Sequence, residues 1–593
     1  MTLDPPFVLI DDARDGAETL LFSRPLDVIV CDGPQDVEAT FERIDAALAV
    51  GRHVAGYLAY ELGYALETRL APLMPDGRDG PLTWLGVFDA PARLDRGAVR
   101  ALMNEWAAEG HAVQGLAAAL DRSDYLATID VIRRHIRDGD VYQINYTFPL
   151  DFRLDGSPRA LYARLRERQR AGHGAFLDTG AGRILSLSPE LFVECRGGRI
   201  RTRPMKGTAP RAANPQRDAE LARWLGADEK SRAENLMIVD LLRNDLGRVA
   251  EIGSVTAGDL FTVETYPTVH QMTSDVEARL RPGSGFADVT RALFPCGSVT
   301  GAPKVKAMEI IRALEARPRG VYTGAVGYAG PNGDMRFNVA IRTLDIRPDG
   351  RGRMDVGSGV VYDSDPAREW EECHIKARFL TEPPPPAFSL LETLKWTPED
   401  GCADLDAHVR RMAASAHAFA FPFDAAAARR ALHDAVATAT GPMRVRLLCD
   451  GYGEVNAEAA PLTAIGRDGV LRYALSPEPV DPDSPFTYHK TTNRARWDGE
   501  RARMAHATGC DEVLFLNPMG EVCEGSFTTV FVDRGDGVLL TPPVASGLLP
   551  GVLRQALIDG GRAIEAVVRP EDLVAGRLYL GNSVRGLMAG EPV

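Results

Sequence analysis

Val299-Thr300-Gly301-Ala302-Pro303-Lys304-Val305-Lys306-Ala307-Met308-Glu309 is the stretch on which the fold of the first region of the chain turns. It continues a loop that begins at Phe294-Pro295-Cys296-Gly297-Ser298, and it opens a helix. Pro303 suits a first helical turn, where its missing N–H leaves no partner unsatisfied. Ile310, Ile311 and Leu314 then recur at helical spacing and mark a buried face. A Gly-rich loop feeding a helix N-terminus offers N–H groups to an anion, although a plain turn and cap accounts for the same residues. The GxxxxGK[ST] order of a phosphate loop is absent.

Upstream stands Arg203-Pro204-Met205-Lys206-Gly207-Thr208, with Glu190 in Ser188-Pro189-Glu190. Lys206 reads as a nucleophile and Glu190 as its acid/base partner. A lysine attacks only as the free amine, so it needs a desolvating or cationic pocket. Pro204 and Gly207 bracket it with turn chemistry, which a solvated turn lysine shares. Residues 218–243 are helical in pattern and run into Ala233–Asp245. Glu234 and Asp240 interrupt an apolar helix there, where an unpaired carboxylate is costly. Each needs a cation, and Arg243 or Arg248 is the plain candidate.

Further upstream, Tyr125, Ile129, Ile132 and Ile136 share one face of a helix from Ser123 to Gly139. Asp140 and Gln143 follow, either as substrate contacts or as turn and strand residues. Downstream, Tyr322–Tyr328 and Ala340-Ile341-Arg342-Thr343 read as strands, with an arginine able to grip a carboxylate at two points. Gly357-Ser358-Gly359 comes next, then a helix with Glu369 and Glu372 on one face.

The chain has 593 residues, too many for one core, so two to four domains are expected. A net charge of −14 without a Lys/Arg stripe argues against nucleic-acid binding. The eight cysteines stand singly, which fits a reduced compartment and gives no zinc-site spacing. The first residues lack the basic and apolar regions of a signal peptide, and no run of 18 apolar residues occurs, so a cytoplasmic protein without membrane contact is expected. Thr381-Glu382-Pro383-Pro384-Pro385-Pro386 reads as a spacer. The expected division is a first region over 1–380, a linker over 381–387 and a second region over 388–593. Within the first region, residues 1–120 form an N-terminal section and residues 121–380 the core.

In this order, the segments of the first region resemble the chorismate-utilising family, which includes anthranilate, isochorismate, salicylate and aminodeoxychorismate synthases. The likeness is strong from about residue 120 to 380 and weak before it. It implies an α+β fold, a β-sandwich with surrounding helices. It also implies Mg²⁺ on Glu234 and Glu372, and chorismate contacts at Thr300, Tyr322, Arg342 and the backbone of Gly357, Ser358 and Gly359. Glu190 matches the acid that helps remove the C4 hydroxyl. Lys206 points to the aminodeoxychorismate branch, since the anthranilate and isochorismate branches usually carry alanine there. In that branch the lysine adds at C2 as the C4 hydroxyl leaves, and ammonia entering at C4 then expels it. Two departures stand out: Gln271, where relatives often have a second His, and Ser231, where they often have an acid.

In the second region, residues 388–396 read as a strand, and a helix carries His408 and Arg411. Met443–Leu448 is a further strand, Lys490 follows a Pro-rich loop, and Asp511–Phe531 forms a hairpin-like pair that carries Glu524. Gly547-Leu548-Leu549-Pro550-Gly551-Val552-Leu553-Arg554 leads into a helix, a second anion site by the same argument. This series resembles the fold-type IV pyridoxal-phosphate enzymes, which include aminotransferases and 4-amino-4-deoxychorismate lyase, and so implies a two-lobed α/β domain. Lys490 would form the Schiff base with pyridoxal 5'-phosphate. Arg411 and the amides of Gly551, Val552 and Leu553 would hold the phosphate, and Glu524 would pair with the pyridinium nitrogen. The family's leading Gly-Asp-Gly is missing, Thr529 replaces an Asn, and the domain is short.

Together the resemblances imply synthesis of 4-aminobenzoate, a folate precursor, from chorismate and ammonia by way of 4-amino-4-deoxychorismate. No glutaminase nucleophile with a downstream His-x-Glu pair occurs, so ammonia would come free or from a separate glutamine amidotransferase subunit. The alternative is another chorismate enzyme fused to a fold-type IV aminotransferase.

Overall fold

The computed structural model describes residues 3–14, 18–382, 386–535 and 537–593. Residues 383–385 of the expected linker lie outside the described residues. The chain divides into two compact units, Met1–Ala209 with Arg223–Pro384, and Pro210–Ala222 with Pro385–Val593. Among the described residues, no helix is long and apolar enough to cross a membrane.

The first unit is built on two large sheets, of ten and nine strands among the described residues. Strand Phe7–Asp11 is buried throughout, so its alternate side chains enter two different cores. Val8 and Ile10 meet Ala55, Tyr57 and Val326 of the other sheet in a core between the sheets. Phe7 and Leu9 point outward, under helices that include Arg122–Arg137 and Pro158–Gln169. Strand His53–Leu58 repeats the pattern, sending Val54 and Leu58 to the helix-covered outer face of the second sheet. The expected sandwich with surrounding helices follows.

A small three-stranded sheet of Met205–Pro210, Val269–Thr273 and Thr262–Thr265 carries Lys206. The helical pattern over 218–243 is borne by two helices, Pro215–Ala227 and Glu229–Gly247. Asp228 breaks them: its backbone is extended, and its carboxylate accepts from the Ser231 N–H at 2.8 Å, an N-cap.

The second unit has two lobes. In one, strands Leu390–Thr397 and Met443–Cys449 lie in a four-stranded sheet and send Leu390, Leu394, Val445 and Leu447 into a core under helices Leu405–Phe419 and Ala425–Ala435. The other is an eight-stranded mixed sheet with its own core around Leu471, Leu514 and Leu580.

Candidate active sites

In the first unit, Lys206 meets groups from four distant segments. Strand Arg351–Val360 pairs antiparallel with Gln143–Gly156, placing Gly359 opposite Asn145. A methyl built at Gly359 would stand 2.9 Å from Lys206 Nζ and 2.7 Å from Gln143 Nε2. Both polar atoms of the Gln143 side chain are buried without a partner among the described residues. Such groups cost about 1–3 kcal/mol each unless a ligand or a water satisfies them. Gly207, at φ 90°, lies so close to helix Glu229–Gly247 that a methyl there would meet Ser231 Cβ at 2.9 Å. This contact seats the Lys206 strand against the helix of Glu234. Thr208 donates to Gln271 Oε1 at 3.1 Å, so the unusual glutamine braces the same strand.

Burial holds the Lys206 amine below its ordinary range, with the Glu190 and Glu234 carboxylates opposing. Glu190 is buried and its carboxyl is pushed up to about 7 by desolvation, while the Ser298 hydroxyl, donating at 2.6 Å, and Lys206 pull the other way. A carboxyl poised near neutrality can both hold and release a proton. Nothing in the sequence singles out Ser298. Its partner lies in a segment far upstream, so no local pattern reveals it.

The other expected residues are held elsewhere in the first unit, and Tyr322 lines a cavity with Asp345, Arg353 and Asp355 that includes neither Lys206 nor Glu190. Thr300 is buried, its hydroxyl donating to the Cys296 and Gly297 carbonyls at 3.2 Å. Tyr322 is buried beside Asp355, with its hydroxyl held well above the usual range by desolvation. Arg342 sits at φ 49°, where the chain leaves Met335–Val339 of the nine-stranded sheet and enters Thr343–Ile346 of the ten-stranded one. A non-glycine residue in that region is strained. Its guanidinium donates to Gln169 Oε1 at 2.8 Å, and burial lowers its pKa. It therefore keeps capacity for a carboxylate. The Gly357 carbonyl accepts from Lys376 at 2.9 Å, and the Ser358 hydroxyl is shared with Tyr125 at 3.1 Å.

Glu234 is half-buried; desolvation and the neighbouring Glu369 and Glu372 raise its pKa, against Lys206 and Lys230. Desolvation works the same way on Glu372, but Lys376 at 2.7 Å holds its carboxyl below the usual range. Among the described residues no three Asp, Glu, His or Cys side chains cluster as a metal cage. Mg²⁺ needs only one or two protein carboxylates when substrate and water complete its shell. The crowded, mutually repelling pair Glu234 and Glu372 fits it. Asp240, by contrast, is exposed and pairs with Arg243 at 2.9 Å. Lys376 joins the site unexpectedly, although its place four residues after Glu372 on one helix is visible in the sequence.

This packing gives a first test. Gly359→Ala is expected to displace Lys206 and lower chorismate turnover about 10²-fold, the scale for a misplaced reacting group. Circular dichroism should stay native, because the strand geometry there accepts alanine.

In the second unit, a cavity of about 500 Å³ holds Lys490, Arg411, Glu524, Gly551, Val552 and Leu553 together. Gly551 is the N-cap of helix Val552–Asp559 and has no side-chain cap, so the first-turn amides are open to an anion. Arg411 is locked by Glu392, through Nε at 2.8 Å and a terminal nitrogen at 2.6 Å. Its other terminal nitrogen reaches the Pro550 carbonyl at 3.1 Å, next to Gly551. Glu392, which also accepts from His408 at 2.7 Å, reads in the sequence only as a strand residue. The Glu524 carboxyl is pushed up to about 7 by burial, against the Leu549 N–H that donates at 3.0 Å and the cations Arg494 and Lys490. Thr529 Oγ1 lies where a methyl at Gly551 would approach to 2.9 Å. An anion cradle, a buried amine and a buried carboxyl in one cavity fit pyridoxal phosphate.

The Lys490 amine is brought down to about 8, first by desolvation and then by Arg411 and Arg494. Only the free amine attacks an aldehyde. Covalent uptake of pyridoxal phosphate by apo-protein, trapped with borohydride, should therefore rise with pH through a midpoint near 8. A midpoint near the ordinary lysine value would contradict the desolvated site.

Comparison with known proteins bears on both units. The profile of the chorismate binding enzyme family matches residues 6–382, and that of amino-transferase class IV matches residues 389–590. Aminodeoxychorismate synthase of Streptomyces griseus is 48% identical over 274 residues, 46% of this chain and 37% of that protein. Anthranilate synthase component 1 of Streptomyces coelicolor is 43% identical over 271 residues, 46% of this chain and 53% of that protein. The chain thus spans about half or less of the length of these relatives. The crystal structure of anthranilate synthase component I from Streptococcus pneumoniae superposes with a TM-score of 0.52 at 24% identity, covering 64% of this chain and 93% of that one.

Proposed function

From a chain that belongs to the chorismate binding enzyme family and also carries a class IV amino-transferase domain, we propose a two-step synthesis of 4-aminobenzoate from chorismate and ammonia. The observation that carries this reading is Lys206, a desolvated amine beside a Glu190 carboxyl poised near neutrality.

In the first unit the Lys206 nitrogen forms a bond at C2 of chorismate and loses a proton, the two conjugated ring double bonds shift from C1=C2 and C5=C6 to C1=C6 and C4=C5, and the C4–O bond breaks. Glu190 gives its proton to the departing hydroxyl, which leaves as water. Ammonia then bonds at C4 and gives a proton to the Glu190 carboxylate, both double bonds return, and the C2–N bond to Lys206 breaks as that nitrogen regains a proton. Two displacements replace one difficult one. Arg342 and Tyr322 bind the substrate's carboxylate, and Gln143 satisfies its orphaned amide against the substrate. Mg²⁺ on Glu234 and Glu372 would supply positive charge for the ring carboxylate.

In the second unit, Arg411 and the Gly551–Leu553 amides would hold the phosphate of pyridoxal phosphate, which when bound supplies an electron sink. Glu524 would pair with the ring nitrogen and favour its protonated form. The Lys490 amine would take the proton from C4, the carbon that bears the substrate's amine, the C3–O bond would break, and the released enolpyruvate would gain a proton to become pyruvate, leaving the aromatic ring. A separate glutamine amidotransferase subunit would supply ammonia.

Acid quenching with chorismate and Mg²⁺ but without ammonia, followed by peptide mass spectrometry, tests the first step. An adduct on the Lys206 peptide is expected; turnover with ammonium but no such adduct overturns the covalent route. Adding the cognate amidotransferase should make turnover glutamine-dependent, and no stimulation would count against that partner.

A further inference from the structure

The cavity around Lys490 carries more positive charge than one phosphate requires. Arg411 is neutralised by Glu392. Arg444, Arg446 and Arg585 also line the cavity. Arg444 and Arg446 alternate along strand Met443–Cys449, so they share the face opposite the core residues Val445 and Leu447. Arg585 follows strand Arg577–Asn582 in a turn that the Asn582 side chain caps, accepting the Arg585 N–H at 3.0 Å. Among the described residues, none of the three side chains has a hydrogen bond or an ion pair. Glu458 stands opposite Arg446 across the strand pair but reaches no pairing distance. The two carboxylates that line the cavity are engaged, Glu524 by the Leu549 N–H and Asp498 by Arg494 at 3.4 Å. Burial, and then Arg444, hold Arg585 below the usual arginine range: like charges face each other with no counter-ion.

We propose that Arg444, Arg446 and Arg585 form a carboxylate-binding wall that selects a dicarboxylate amine as the substrate of the second unit. This rests on the reading above for the identity of that amine. Aminodeoxychorismate carries the reacting amine and two carboxylates, one across the ring and one on the enolpyruvyl arm. A simple amino acid, with one carboxylate next to its amine, would leave the wall unfilled.

Two probes separate the wall from the reaction. 4-Aminoisophthalate carries an aromatic amine and two carboxylates, and 4-aminobenzoate carries one. Their binding to the full-length, pyridoxal-phosphate-loaded protein would be measured by calorimetry. The dicarboxylate should bind more tightly. Arg585→Gln and Arg444→Gln should each weaken it about 10- to 100-fold, the scale of a charge-assisted hydrogen bond, and weaken the monocarboxylate far less. KM for aminodeoxychorismate should rise in parallel with a smaller change in kcat, and the lysine variants should recover part of the loss. The cofactor's visible absorbance should persist in every variant, showing that the cavity stays folded. Equal affinity for both probes in the unmodified protein, or variants that weaken both alike, would overturn the wall. A dicarboxylate preference in a protein that makes no 4-aminobenzoate would support the wall and remove the reaction assigned to it.

Discussion

Lys206→Ala is expected to lower ammonium-dependent consumption of chorismate by at least about 10³-fold, the scale on which removal of a nucleophile acts. The fold should survive, because among the described residues the side chain forms no hydrogen bond or ion pair and acts on Glu190 and Glu234 only through its charge. Lys206→Arg should not rescue turnover, since a guanidinium stays protonated and cannot attack. Glu190→Gln should cost about 10²–10⁴-fold, the range for general acid catalysis. The pH profile follows from the same pair. The free amine of Lys206 increases as pH rises, giving an ascending limb. Glu190, with its pKa near 7, loses its proton over the same range and gives a descending limb. A bell is expected, and Glu190→Gln should remove its alkaline limb. An alkaline limb that survives the substitution would assign the proton to another group.

Lys490→Ala should abolish formation of 4-aminobenzoate while chorismate is still consumed, so 4-amino-4-deoxychorismate accumulates. Its amine is the nucleophile that the cavity desolvates, at a pKa near 8. Among the described residues, no other lysine lines that cavity. The variant should also lose covalent retention of pyridoxal phosphate under borohydride, a readout independent of turnover. Residual 4-aminobenzoate at the unmodified rate would mean either that Lys490 moves no proton or that the product arises elsewhere.

The sandwich and the two-lobed unit are legible through the ordered motifs that carry the two family resemblances, and not through apolar periodicity. Glu234 stands out as a carboxylate in an apolar helix, whereas the roles of Lys206 and Glu190 come from the family resemblance and Gln143 stays open between a substrate contact and a strand residue. Contacts between distant segments are not legible. Ser298 reaches Glu190 only through the folded loop, and Glu392 looks like any polar strand residue until Arg411 and His408 close on it. The Asp228 break lies in the polar stretch between Leu225 and Leu236, where the Asp228 carboxylate caps the second helix by accepting the Ser231 N–H. Arg342 shows the same limit, since its left-handed φ arises from a crossover between sheets that no local pattern encodes.

The most direct measurement is the identity of the aromatic product. The purified chain would be incubated with chorismate, ammonium, Mg²⁺ and pyridoxal phosphate, and the products separated by chromatography. 4-Aminobenzoate and pyruvate in equal amounts are expected. Anthranilate as the aromatic product, or chorismate left unconsumed, would contradict the roles assigned to Lys206 and Glu190.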